Sequence, residues 1–319
     1  MRQHALSPAG PQAAQIHELW WVFIAICGVV FVALLVVLLW ALWRAPRSDE
    51  RTAADVSSLR QSEPGLQRAV IAATAASIVG LIALTTASVV ADRALARLPG
   101  DDAVQIELTA NQWWWEARYM DPQPSRIFTT ANELHVPVGR TVVVTLRSND
   151  VIHSFWVPNL HGKKDLIPGH TTSFRFRADE PGIYRGQCAE FCGFQHARMG
   201  ILVIAEPAAQ YEAWAEQQRQ PAPEPADPLA SRGRDVFVSS TCAMCHRIQG
   251  TAAHGRNAPD LTHLASRRTL AAGTLPNTTG HLAGWIVDPQ RIKPGVNMPQ
   301  NTLAPDDLQA LLAYLGTLK

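Results

Sequence analysis

The sequence predicts a multidomain membrane protein: a two-helix transmembrane hairpin, an all-β sandwich and an all-α C-terminal domain. Three observations carry this. Residues 19–43 and 69–91 are apolar and free of charge. Residues 101–206 hold short apolar/polar alternations separated by Pro and Gly turns. A proline-rich break at 221–228 is followed by helical periodicity.

At 1.5 Å per residue, each charge-free stretch is long enough to cross a hydrocarbon core of about 30 Å. Trp20 and Trp21 at one end of the first stretch, and Trp40 and Trp43 at the other, form the aromatic belts expected at two membrane interfaces. A secretory leader is the alternative for the first stretch, but its apolar region usually runs ~7–15 residues before a small-residue cleavage site. Cys27 follows the bulky Ile26 and reads as a membrane-buried small hydrophobe. Arg44, Arg47, Arg51, Arg60 and Arg68 crowd the segment 44–68, against Arg2 alone in the tail 1–18. The positive-inside rule therefore places 44–68 in the cytoplasm, and the tail and everything after residue 91 outside. Neither stretch holds an acidic, basic or His residue, so this chain alone offers no proton or ion path through its own helices.

The 319 residues carry 28 Lys+Arg against 27 Asp+Glu, a net charge of +1 that argues against a nucleic-acid partner. Five cysteines in such a length exclude a disulfide-dense scaffold. Four of them form two tight pairs, Cys188/Cys192 and Cys242/Cys245.

In the β region, Val104, Ile106 and Leu108 share one strand face, Val142, Val144 and Leu146 another, and Phe174 and Phe176 a third. Turns at 122–124, 137–139, 168–169 and 181–182 separate the runs, as in an antiparallel sandwich or barrel. A helical stretch near 208–218 leads into Pro221, Pro223, Pro225 and Pro228, a stiff extended spacer. The domain 229–319 closes on a helix over 306–318, with Leu308, Leu311, Leu312 and Leu315 at 3 and 4 spacing and Asp306 and Asp307 in the first turn.

Within 188–199 lie two thiols, an imidazole (His196) and a thioether (Met199), a soft donor set suited to copper. A single blue copper needs one Cys, two His and a weak Met. The second Cys permits two coppers bridged by both thiolates, each also taking one His. His153, after the strand-like run 141–146, is the best candidate for the second His. Met199 would then be a weak axial ligand on one copper, and the Glu190 carbonyl on the other. A structural disulfide Cys188–Cys192 is the alternative.

Cys242-Ala-Met-Cys245-His246 is the c-type haem attachment pattern, with His246 as an axial ligand. A redox dithiol and half a zinc site are the alternatives. Of the two methionines beyond residue 200, Met244 lies inside the attachment loop, which leaves Met298 as the sixth ligand. His254, His263 and His281 are rivals. A thioether ligand raises the potential and suits electron transfer.

The run C-A-E-F-C-G-x-x-H-x-x-M, with H-S-F-W-V-P and D-L-I-P-G upstream and the helical hairpin before it, resembles subunit II of cytochrome c oxidases over residues 17–206. The resemblance implies a cupredoxin sandwich (101–206) with a dinuclear copper (CuA) site, and a Glu190 carboxylate that helps bind magnesium at the contact with subunit I. Gln112-Trp-Trp-Trp115 is similar to the family's aromatic segment, and Trp113 matches its exposed tryptophan where the electron from cytochrome c enters. Trp114 replaces the usual tyrosine, and Glu63 lies out of register with an acidic residue that many relatives place at the second span. Gly233-Arg-Asp-Val-Phe, Ala258-Pro-Asp-Leu and K-P-G-x-x-M-P resemble a class I cytochrome c over 229–319, which implies that the Pro259 carbonyl orients His246.

A subunit II with a cytochrome c at its end resembles the caa-type oxidases of bacteria. This implies an inner-membrane protein with both redox domains on the periplasmic face. Electrons would pass from cytochrome c to haem c, Trp113, the copper pair and then subunit I, where O2 reduction to water and proton translocation belong. The corresponding electron-receiving subunit of a nitric oxide reductase is the alternative.

Overall fold

The structure is a computed structural model describing residues 1–45, 63–95, 98, 100 and 102–319. Arg47, Arg51 and Arg60 of the basic segment lie outside the described residues. The chain forms two compact units: Gln15–Leu95, and Met1–Ala14 together with Ala96–Lys319.

The first unit holds most of helix α1 (Pro11–Arg44) and helix α2 (Pro64–Leu95), each long and apolar enough to cross a membrane. Their leucines, valines and isoleucines are largely exposed, as a lipid-facing surface requires. Polar groups are satisfied locally. Ser77 donates to the Ala73 carbonyl (2.9 Å), Thr86 to the Ile82 carbonyl (2.8 Å), and the Trp21 indole to His17 (2.9 Å). Arg44 lies over the Trp40 ring, 5.3 Å from its centroid.

The second unit begins its core with ten strands: β1 (Val104–Asn111), β2 (Trp114–Met120), β3 (Phe128–Ala131), β4 (Glu133–Pro137), β5 (Val142–Ser148), β6 (His153–Trp156), β7 (Lys164–Leu166), β8 (Thr172–Phe176), β9 (Gly182–Cys188) and β10 (Gly200–Glu206). They form two five-stranded sheets, ordered β3-β2-β1-β5-β8 and β4-β10-β9-β6-β7. Two neighbours are parallel, β1 with β5 and β4 with β10. The β1–β5 register sets Ile106 beside Val144 and Leu108 beside Leu146, so the apolar faces of both strands turn inward together. Those residues pack with Trp115, Phe155, Phe176 and Tyr184 between the sheets. Helix α3 (Ala208–Arg219) covers the β3–β4 end through Trp214, which stacks on His135 and meets Tyr119 edge-on.

The N-terminal tail joins this unit. Arg2 bridges Tyr184 in parallel, where β9 runs past the end of β6. Asn159 binds the carbonyls of His4 and Ser7, and Gly10 sits where a Cβ would lie 2.0 Å from the Arg177 carbonyl.

The C-terminal domain contains α4 (Pro228–Ser239), α5 (Cys242–Cys245), α6 (Thr279–Val287), α7 (Pro289–Ile292) and α8 (Pro305–Leu315). Helices α4 and α8 cross at Gly233, which has no room for a side chain against Ala310. Two findings differ from the sequence reading. A short pair of strands, β11 (Thr269–Leu270) and β12 (Leu275–Pro276), interrupts the helices, and two residues each are too few to leave a period in the sequence. The spacer 221–228 does not hold the domain at a distance. Ala222 is bonded to Gln249, Asp227 caps α4, and the domain lies directly on the sandwich. Its position is therefore set by contact and not by tether length.

Candidate metal centre and haem cavity

Strand β9 ends at Cys188 and β6 begins at His153. Their register pairs Phe155 with Cys188, which brings the His153 ring to the loop that follows. That loop closes on itself where the Cys188 amide donates to the Met199 carbonyl (2.9 Å). Gly193, at φ 106°, supplies a turn that a side chain would strain.

The loop gathers the expected donors. Sγ of Cys188 lies 3.8 Å from Nδ1 of His153 and 3.2 Å from the Glu190 carbonyl. Sγ of Cys192 lies 3.6 Å from Nδ1 of His196 and 3.9 Å from Sδ of Met199. One ligand atom each from His153, Cys188 and Cys192 fall within 4.8 Å of one another. Both thiols are free and buried. Asp150 accepts from the other nitrogen of His153 (2.8 Å), the arrangement that orients a metal-binding imidazole.

The two thiols share one proton, which Cys192 keeps. A hydrogen bond from Cys192, helped by His153, holds Cys188 well below the usual thiol range, and contact with that thiolate pushes Cys192 up. Such a pair is poised for cations that neutralise both sulfurs. The Glu190 carboxylate points away from the sulfurs and pairs with Lys163 (2.9 Å).

The second site is a cavity of about 480 Å³ lined by Cys242, Cys245, His246, Met298, Trp113 and apolar side chains of α6 and α8. His246 Nδ1 donates to the Pro259 carbonyl (2.7 Å), which leaves Nε2 as the free lone pair. Burial lowers the His246 pKa and keeps the ring neutral, as a ligand must be. Met298 is held by Gln290, which donates to the Met298 and Val296 carbonyls (2.8 and 2.7 Å). The rival histidines do not line the cavity. His263 is engaged at both nitrogens by the Lys319 and Gln220 carbonyls, and His281 lies in the first turn of α6, its ring bonded to the capping Thr278 hydroxyl. Arg267 is half-buried on the cavity wall with its buried Nε unpartnered, a donor free for an anionic group such as a haem propionate. The donors, the orphaned Nε and the apolar lining fit a haem.

Trp113 joins the two sites. Its indole donates to the Cys192 carbonyl (2.8 Å) while its ring lines the cavity. The resemblance implied an exposed tryptophan; here it is 7% exposed, because Val296 and the loop around it lie against it.

The family described as "Cytochrome C oxidase subunit II, periplasmic domain" matches residues 108–206, and "Cytochrome c" matches 230–319. A cytochrome c oxidase subunit 2 of Alkalihalophilus pseudofirmus is 35% identical, across 99% of this chain and 90% of that protein. The chain belongs to the cytochrome c oxidase subunit 2 family. A subunit 2 of Bacillus sp. is 34% identical over 68% of this chain and 63% of that protein. The crystal structure of the periplasmic domain of subunit II from Bradyrhizobium japonicum is 29% identical over 38% of this chain and 97% of that domain, with a TM-score of 0.36. The subunit 2 match spans His153 and the whole Cys188–Met199 loop, and the cytochrome c match spans the attachment motif and Met298.

Three residues of this subunit 2 chain escaped sequence reasoning. Arg267 and Lys293 line the haem cavity, and Glu133 is a buried carboxylate accepting from the amides of Arg268 and Thr269 (2.8 and 2.9 Å). Lys293 stands in the K-P-G-x-x-M-P run, where nothing local marks it as buried.

Proposed function

We propose that this chain is the electron-receiving subunit of a haem-copper terminal oxidase. When bound, a covalent haem c and a dinuclear CuA centre supply the one-electron carriers through which electrons from cytochrome c reach subunit I, supporting O2 reduction to water and proton translocation. The observation that carries this reading is Trp113, bonded to the Cys192 carbonyl and lining the cavity of His246 and Met298.

The chain's own residues would divide the work as follows. Cys188, Cys192, His153 and His196 would hold the coppers, with Met199 and the Glu190 carbonyl as weak ligands. Cys242 and Cys245 would anchor the haem covalently, and His246 and Met298 would be its iron ligands. The Glu190 carboxylate would exchange its bond to Lys163 for a magnesium ion at the contact with subunit I. Phe191 and Phe194, exposed on the same loop, supply apolar surface for that contact.

The domains run as 1–18 tail, 19–43 and 69–91 spans, 44–68 cytoplasmic loop, 101–206 copper domain, 207–228 helix and linker, and 229–319 cytochrome domain. The docking of the tail on the sandwich supports placing both on one side of a bacterial inner membrane, the periplasmic one.

The test is electron paramagnetic resonance of the copper-loaded protein. Cys188→Ser should abolish the seven-line mixed-valence signal, and a surviving signal would overturn the dinuclear assignment. Purified with its partners, the complex should reduce O2; turnover of nitric oxide alone would move it to the other enzyme.

A further inference from the structure

The seam between the sandwich and the C-terminal domain encloses one cation. Lys293, at the end of α7, is 2% exposed. Its Nζ donates to three backbone carbonyls: Trp113 (3.0 Å), Arg198 (2.9 Å) and Ala271 (3.1 Å). An ammonium has three donors, and all three are used. Among the described residues no carboxylate pairs with it. A desolvated cation without a counter-ion is costly, and a position that served only packing would hold an apolar side chain. Burial, with Arg198 nearby, pushes the amine down to about 7, which expresses the same cost.

The three carbonyls belong to the parts that matter. Trp113 meets both sites, and Arg198 ends the copper loop one residue before Met199. Ala271 lies in the β11–β12 turn of the C-terminal domain. On the other side, Lys293 stands five residues before Met298 in a loop that Gln290 braces at Gly295, Val296 and Met298. Around it the seam closes through Gln195 to the Pro294 carbonyl (2.7 Å), Gly200 to the Ala272 carbonyl (2.9 Å), Arg198 to the Ile292 carbonyl, and Glu133 to the Arg268 and Thr269 amides.

We propose that Lys293 is a positioning residue: it fixes the Met298 loop on the Trp113 carbonyl and on the end of the copper loop, and so holds the haem cavity in one setting against Trp113. That role rests on the electron-transfer reading above. Because the setting is fixed, transfer from haem to copper in the wild-type chain is independent of solvent viscosity.

Lys293→Met keeps the shape of the side chain and leaves three carbonyls unpaired. Each orphaned buried carbonyl is worth enough to loosen the seam by roughly tenfold or more. Measured by hydrogen exchange in the full-length, cofactor-loaded protein, the amides of Gly200 and Thr269 should exchange about tenfold faster. The amide of Val203, inside the β9–β10 ladder, should not change. In flash-induced reduction, haem-to-copper transfer should slow and become viscosity-dependent. Lys293→Gln, which keeps two donors, should recover part of both effects, and it is read by the same criteria if the Met variant fails to fold.

Unchanged exchange at Gly200 and Thr269 would overturn the role. So would a loosened seam with transfer still fast and independent of viscosity, since Lys293 would then be structural only. Absence of transfer in the wild-type chain would instead overturn the electron-transfer reading, while the exchange arm still decides for or against Lys293 as the clamp.

Discussion

Gly233 and Gly284 both occupy helices of the C-terminal domain, and the structure assigns them opposite responses to the same substitution. A Cβ at Gly233 would lie 1.9 Å from the Ala310 carbonyl oxygen, 2.5 Å from its carbon and 2.8 Å from the Tyr314 Cβ. The obstacle is the backbone of α8, which cannot rotate aside, so the two helices must separate. Overpacking of this kind costs ~1–3 kcal/mol, and the top of that range applies when backbone is struck. The gain in helix propensity from Gly to Ala returns about 1 kcal/mol. Gly233→Ala should therefore lose ~1–2 kcal/mol net, or about 5–15 °C of melting temperature in a domain of this size. Gly284, exposed within α6, has nothing within 4 Å of its ideal Cβ. Gly284→Ala should gain about 0.5–1 kcal/mol from propensity alone and melt a few degrees higher. Differential scanning calorimetry of the haem-loaded chain, with far-ultraviolet circular dichroism as a second probe, reads both. If the two variants shift the C-terminal transition in the same direction, the close helix crossing is not what holds this domain.

The remaining predictions concern the sites and the copper domain. Met298→His should retain covalent haem, lower its potential and abolish the sulfur–iron absorption band near the red end; persistence of that band would place the sulfur ligand elsewhere. Removing residues 229–319 should leave the copper signal intact but slow copper reduction by the native donor roughly tenfold or more, as stopped-flow would show. His161 is half-buried beside Phe174, and its desolvation lowers its pKa, with Lys164 acting in the same direction. The unfolded chain therefore binds the proton first, and copper-domain stability should fall as pH drops below about 6.5, by at most ~1.4 kcal/mol per pH unit, until the folded ring itself protonates. In His161→Gln that component of the acid sensitivity should vanish from melts compared between mildly acidic and neutral buffers.

What could be read in advance was whatever depends on short-range pattern. Ile106, Leu108, Val144 and Leu146 alternate, and their strands pair with those faces inward. Cys188, Cys192, His196 and Met199 occur within one loop, so their donor chemistry was visible without any fold. His153 lay farther away and was found because only a second imidazole completes the set. Met298 was reached by elimination. The seam was opaque for the opposite reason. Lys293 reaches a carbonyl 180 residues away in sequence, and Glu133 serves amides 135 and 136 residues away. Neither residue has a local partner that gives it meaning. The covering of Trp113 follows from the same long-range contact, so the expectation of an exposed ring failed with it. Arg267 belongs to this group too, because one of two adjacent arginines, Arg267 and Arg268, carries no sign of the cavity behind it.

The tail at residues 1–10 has a consequence for how such a protein is made and handled. Arg2 exchanges backbone hydrogen bonds with Ile183 and Arg185, and His4 and Ala9 bind at Asn159. Residues 1–10 thus find their partners only after the sandwich far downstream in the chain has been synthesised and folded, which makes their docking a late event of maturation. An affinity tag fused ahead of Arg2 would sit at the edge of β9, beside the strand that delivers Cys188. A purification handle there would compete with the docking of the tail.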